Sequence, residues 1–236
     1  MTKKADTVVE YVRGRVFSGA MVPGEWYSVI QLAEELSISR SPVREALLRL
    51  EEAGLVRFTK NRGFQVNRTG PADVAGIFAV RMGIEPAAAY RAAKWRTEEQ
   101  LLLMDAHVSS MYDLAQTGEE DAFFTHDRAL HNLVMEMGNA HRGAEVVDRL
   151  RASTRVLGYS TAGRSRTLPD ILAEHQPIVE AIRSGNSPTA RDAMREHLTS
   201  TGMLLLRQAW ATQPAGDNTG SDDAIHAFWQ KHIEGF

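Results

Sequence analysis

Four side chains in the second half of the chain have the types and the spacing to hold a metal ion. Asp127 and His131, in THDRALHNLV, are four residues apart and share one face of a helix. His175, in LAEHQPIVEAI, and His197, in AMREHLTS, fall in two other helical segments. One carboxylate and three imidazoles ligate a divalent transition metal if those helices converge. The set suits Zn²⁺ foremost, and also Ni²⁺, Mn²⁺ or Fe²⁺; the chain has no cysteine, so Cu(I) and thiolate sites are disfavoured. Spacing alone is equally well met by Asp127 pairing with Arg128 or Arg151 and by histidines capping helix ends. The remaining histidines, His107, His126, His141, His226 and His232, read as surface or capping residues.

A second pattern lies near the front, in SRSPVREALLRL, residues 39–50. Val43, Ala46, Leu47 and Leu50 share the inward face of a helix, which leaves Arg40 and Arg44, four apart, projecting together from its exposed start. An arginine in the major groove offers a bidentate fork to guanine O6 and N7, and Ser39 and Ser41 can reach bases or phosphates. Arg49 lies further along, where a phosphate contact is the natural role. Taken alone, the helix could equally be a solvated one whose arginines pair with Glu45, Glu51 and Glu52.

The elements that must position these groups are legible in the flanking sequence. Asp6–Ser18 has helical apolar spacing, ended by Gly19 and Pro23-Gly24. Ser28 caps a second helix with Ile30, Leu32, Ala33 and Leu36 inward. The third helix runs from about Ser41 to Ala53 and stops at Gly54. Leu55–Phe58 and Gly63–Val66 read as two strands, joined through Thr59-Lys60-Asn61-Arg62 as a hairpin. Three helices and a hairpin in this order form a winged helix-turn-helix, with Lys60 and Arg62 beside Gly63 at the wing tip. In that motif the start of the second helix enters the major groove of double-stranded DNA. The complete order therefore favours DNA binding over a solvated helix.

From Ala72 to Trp210 only helical periodicity is found. Breaks near residues 96–97, 117–118, 138–139, 158–166 and 185–188 leave about six helices. The expected fold is mainly α: an N-terminal winged helix-turn-helix with a small β-hairpin wing over 1–70, then an all-α antiparallel helical bundle over 71–212. Residues 213–236 read as a flexible linker and a short tail, whose last part can form a helix on Ile225, Phe228, Trp229 and Ile233.

Composition bounds the reading. The 236 residues are 43% hydrophobic, enough for a core. No apolar run can cross a bilayer and Met1-Thr2-Lys3-Lys4 is not followed by a signal peptide's apolar stretch, so the chain reads as cytoplasmic, with no membrane partner. The net charge of −3 is unevenly spread. Residues 1–69 hold 11 Lys+Arg and 8 Asp+Glu, whereas residues 70–236 hold 16 and 22. A basic front and an acidic rear fit two modules with different partners.

The segment PGEW…IQLAEELSISRSPVREALLRLEEAGLVRF…NRGFQV, about Asp6 to Val66, resembles the DNA-binding half of the GntR family of bacterial transcriptional regulators. Residues 72 to about 210 resemble that family's all-helical FCD effector domain, through IFAVRMGIEPAAAYRAA, FTHDRALHNLVMEMGNA, EHQPIVEAIRSGN and MREHL. The resemblance implies operator contacts for Ser39, Arg40 and Arg44, with Gly63 shaping the wing. It implies metal ligation by one Asp and three His, which fall on Asp127, His131, His175 and His197. It also implies that Arg81, in VRMGIEP, pairs with the carboxylate of a small organic acid effector, a role suited to a guanidinium fork. The plain alternative is an ion pair with Glu85, one turn on. Asn132 and Arg155 are further pocket candidates. Leu130 departs from the family pattern, which often has Phe there, and this alters packing, not ligation.

The expectation is a homodimeric, ligand-responsive regulator on a palindromic operator, repressing until an organic acid binds. A metal-dependent hydrolase fused to a DNA-binding module is the rival from another class, although no H-E-x-x-H motif supplies its acid–base partner. A direct metal sensor, and a neutral ligand beside a structural metal, also stand open.

Overall fold

The computed structural model describes residues 3–18, 20–67, 70–156, 162–163, 165–211 and 221–233. The chain divides into two compact units, Met1–Gly70 with Ala152–Tyr159, and Pro71–Arg151 with Ser160–Phe236.

The first unit contains α1 (Lys3–Phe17), β1 (Trp26–Tyr27), α2 (Val29–Glu35), α3 (Arg40–Glu52), β2 (Val56–Thr59) and β3 (Gly63–Val66). Its core is assembled from one stripe of each helix: Ala5, Val8 and Val12; Leu32 and Ala33; Val43, Ala46, Leu47 and Leu50. Leu55 and the sheet residues Val56, Phe64 and Val66 close it. Ser28 caps α2 by accepting from the amides of Ile30 and Gln31. The sheet has three strands in the order β1-β3-β2, all antiparallel, where two were expected. The added strand is only Trp26–Tyr27, paired Trp26↔Gln65 and Tyr27↔Phe64. Two residues give no period to read, so only the pairing partner reveals it.

Gly63 explains the wing's shape. Its φ is +108°, and a Cβ there would lie 2.2 Å from the Tyr27 carbonyl oxygen. Only glycine supports both that backbone and that approach of β1.

The second unit contains α4 (Pro71–Trp95), α5 (Glu98–Thr117), α6 (Glu120–Met137), α7 (His141–Val156) as far as Arg151, α8 (Leu168–Ser184), α9 (Ser187–Ala211) and α10 (Asp222–His232). The two longest helices, α4 and α9, form its spine, and α8 packs against both. α6 packs on α4 and α5. Reciprocal capping boxes start α5 and α8, Thr97 with Gln100 and Thr167 with Asp170. Gly138 ends α6 where its backbone meets α4: a Cβ there would lie 2.4 Å from the Ala88 carbonyl oxygen. Arg91 Nε also donates to the Gly138 carbonyl at 2.7 Å.

The tail's last segment folds as α10 and packs on α4 and α9 of its own unit. Ile225, Trp229 and Ile233 are buried, and the Trp229 ring lies 6.0 Å from that of Phe78. Residues 212–220, most of the expected linker, lie outside the described residues.

Candidate functional site

The first unit presents a compact polar face. Ser39 is the N-cap of α3 and its hydroxyl caps no amide. It is exposed with Arg40, Ser41 and Arg44, and neither arginine makes an ion pair among the described residues. An uncommitted hydroxyl and two uncommitted guanidiniums at a helix start are what groove reading requires. Lys60 and Arg62 are exposed beside Gly63, and the Arg62 guanidinium stacks on Trp26 at 4.0 Å. Arg49 differs. Its two terminal nitrogens bond Asp6 and Glu45, each at 2.7 Å, so it ties α3 to α1. The fork expected for a phosphate is occupied within the unit.

The second unit brings the three histidines together. The ligand atoms of His131, His175 and His197 all lie within 4.8 Å of one another. His131 and His175 approach at 3.2 Å between their Nε2 atoms, and Asp127 Oδ1 lies 3.0 Å from His175 Nε2. All four side chains are buried. Asp127 and His131 come from α6, His175 from α8 and His197 from α9, so the helical spacing supplied one pair and packing supplied the rest.

Two of the three rings are oriented from behind. The His175 Nδ1–H donates to the Ile171 carbonyl at 2.8 Å, one turn back on α8. His131 Nδ1 lies 2.6 Å from Glu85 Oε2. The Glu85 contact places the His131 ring proton on Nδ1 and leaves its Nε2 free to ligate, the carboxylate–histidine arrangement that supports bound metals. His197 Nδ1 is 3.6 Å from Glu174, beyond a direct hydrogen bond. Glu174 is in turn paired with Arg166.

The electrostatics keep these groups in ligating form. Burial, reinforced by the nearby Arg151 charge, pushes His131 down to about 4. Burial and the neighbouring His175 push His197 down to about 3. His131 and His197 are therefore neutral near pH 7. Burial works against the Asp127 carboxylate, but Arg151 and His175 hold its pKa well below the ordinary range. Glu85 is likewise kept ionised against burial, by Arg81 and His131. The donor set, three imidazoles and one carboxylate, fits a borderline divalent ion.

Arg81 is buried, and its Nε donates to Glu85 Oε1 at 2.6 Å. The ion pair weighed as the plain alternative is thus present. Glu85 becomes the hinge of a chain that runs from Arg81 through Glu85 to His131. Sequence reasoning used Glu85 only as that alternative partner. A carboxylate among Ile84, Pro86, Ala88 and Ala89 was the available signal, because a lone acid in an apolar run must find a partner. Arg151, weighed from the sequence as a partner of Asp127, does pair with it, and both side chains are mostly buried. Asn132 Nδ2 lies 3.4 Å from Asp148, and its Oδ1 is buried without a partner among the described residues. Arg155 falls in α7, but its side chain lies outside the described residues. Beside the histidines, Leu130, Val134, Ile178, Val179 and Met194 line a small void of about 10 Å³. That is about the room needed by one water.

The model for bacterial regulatory proteins of the gntR family matches residues 4–66, and the FCD domain model matches residues 76–200. The chain belongs to the GntR family, with an FCD domain. It is a transcriptional regulator with a DNA-binding helix-turn-helix, and not an enzyme. The Escherichia coli HTH-type transcriptional repressor RspR is 27% identical over 190 residues, 80% of this chain and 83% of its own. The Bacillus subtilis regulator YdhC is 29% identical over 196 residues, covering 77% and 82%. The solved structure of Escherichia coli McbR/YncC shares the fold, with a TM-score of 0.64 over 88% of this chain and 99% of that one, at 19% identity. No helix among the described residues is long and apolar enough to cross a membrane.

Proposed function

We propose that this regulator is a cytoplasmic homodimeric repressor, released from a palindromic operator by a small carboxylate that binds at a metal site in its FCD domain. Ser39, Arg40, Ser41 and Arg44 read the major groove, and Lys60, Arg62 and Gly63 form the wing that reaches the adjacent backbone or groove. A two-fold dimer sets the half-site spacing. Repression is favoured because RspR and a Paenarthrobacter nicotinovorans relative of 26% identity are named as repressors.

The observation that carries the effector half is the charge balance around the histidine cluster. Two buried carboxylates, Glu85 and Asp127, already neutralise two guanidiniums, Arg81 and Arg151, while His131 and His197 stay neutral. A divalent ion on Asp127, His131, His175 and His197 would leave an excess of two positive charges in a poorly solvated interior. An anion relieves that excess, and a carboxylate can both ligate the ion and use the terminal nitrogens of Arg81. The ion would supply a Lewis-acidic anchor for such a group. Zn²⁺ suits the donor set first, with Ni²⁺, Mn²⁺ and Fe²⁺ as alternatives.

Coupling follows from the chain's path. Arg81 and Glu85 stand on α4, which begins at Pro71, next to the Gly70 boundary between the two units. A carboxylate that competes with Glu85 for Arg81 shifts the balance between two arrangements of α4, and the DNA-binding unit is joined to that helix. Metal analysis of untagged protein purified without chelator tests the site: about one ion per chain is expected, lost in His175→Ala. Titrating small carboxylates and hydroxy acids into an operator complex tests the coupling. Effector binding that leaves operator affinity unchanged would break the mechanism. Release by metal alone, without carboxylate, would make the ion the signal instead.

A further inference from the structure

His107 and His126 read from sequence as surface or capping residues, yet the structure pairs them. His107 is in the middle of α5 and His126 in the second turn of α6, helices joined by the short turn at Gly118. Their Nδ1 atoms lie 3.1 Å apart, and their rings are tilted by 57° with centroids 5.4 Å apart. Both rings are half-buried and keep a route to solvent. Among the described residues neither ring has another polar partner.

The separation suits a shared ion. Two imidazole nitrogens each about 2.05 Å from a metal and 3.1 Å from each other subtend about 98°, between octahedral and tetrahedral angles. It is also close to the 3.2 Å between the Nε2 atoms of His131 and His175 in the central cluster. The pair is separate from that cluster: His107 belongs to no other ligand set, and His126 precedes Asp127 on α6 but forms its contact with α5. The structure offers a chelate of two nitrogens from two different helices, with open positions that water can fill. We propose that His107 and His126 form a second metal site, which takes a borderline dication such as Zn²⁺, Ni²⁺ or Cu²⁺ more weakly than the buried centre. An ion there clamps α5 to α6, the helix that carries Asp127 and His131.

Equilibrium dialysis of the full-length protein against Ni²⁺, and separately against Zn²⁺, tests this with four proteins: wild type, His107→Gln, His126→Gln and His175→Ala. Wild type is expected to show a weaker class of bound ion, lost in His107→Gln and in His126→Gln but kept in His175→Ala. Far-UV circular dichroism checks folding, and the asparagine variants at both positions replace any glutamine variant that misfolds. The proposal is overturned if wild type shows no such class. It is equally overturned if the class survives at both substituted positions, the result of a plain imidazole–imidazole hydrogen bond. Because His175→Ala removes only the buried centre, the two metal readings succeed or fail separately.

Discussion

The substitution Glu85→Gln probes the cluster through a residue that stands behind a ligand and is not one itself. The Glu85 carboxylate accepts from Arg81 Nε and from His131 Nδ1, both at 2.6 Å, and is 1% exposed. Glutamine has the same shape but offers one acceptor and one donor. With its oxygen toward Arg81, its amide donates to His131 Nδ1 and forces the ring proton onto Nε2. That capped atom is the one facing His175, so His131 stops being a ligand. With the amide reversed, its N–H faces the Arg81 N–H, and the buried guanidinium loses its counter-charge. Removing one member of a buried ion pair costs roughly 3–5 kcal/mol. Loss of the hydrogen-bond partner behind a ligating histidine costs roughly 10–100-fold in metal affinity. Competition with a fluorescent chelator for Zn²⁺ measures that loss, and thermal unfolding of the metal-free protein measures the stability change. Glu174→Gln is the internal control. Its carboxylate stands 3.6 Å from His197 Nδ1, too far for a direct hydrogen bond, so its effect on Zn²⁺ affinity is expected to be smaller. A folded Glu85→Gln that keeps wild-type Zn²⁺ affinity would refute the role given to the Arg81–Glu85–His131 chain.

Three further outcomes are expected. The metal-free protein loses stability as the pH falls from about 6.5 toward 4, because unfolded imidazoles take up protons that the folded His131, at about 4, and His197, at about 3, refuse. With both groups titrating only when unfolded, the slope reaches at most about 2.7 kcal/mol per pH unit, and denaturant melts across that range would show it. Arg40→Ala and Arg44→Ala each cost roughly 1–3 kcal/mol of specific operator binding in a salt-controlled shift assay, whereas Arg49→Ala acts mainly on thermal stability, by about 1 kcal/mol or less, through its contacts with Asp6 and Glu45. Gly138→Ala pushes a methyl group into the α4 backbone at Ala88 and should destabilise the helical unit by roughly 1–3 kcal/mol; an unchanged melting temperature would show that α4 and α6 can separate there at no cost.

Much of this was legible in the residues themselves, because it depends on short-range regularities. Helical spacing, Ser28 as a cap, the stops at Gly118 and Gly185 and the turn before Gly63 all act within a few positions of one another. The six helices between Ala72 and Trp210 and the recognition helix follow from such local rules. Asp127 and His131 could be placed on one face because one turn of helix relates them. What brings His175 and His197 to that face, what stands Glu85 behind His131, and what turns Arg151 inward is the packing of α4, α6, α7, α8 and α9. No local period encodes that distance. The same is true of the two-residue strand beside β3, of Arg49 held by Asp6, of α10 seated on Phe78, and of His107 meeting His126. The sequence by itself determined the elements and the types of donor available, since backbone propensity and apolar period are properties of neighbours along the chain. Only the tertiary structure decided which donors meet, which charges neutralise one another and which arginines stay uncommitted, because those depend on contacts between residues tens of positions apart.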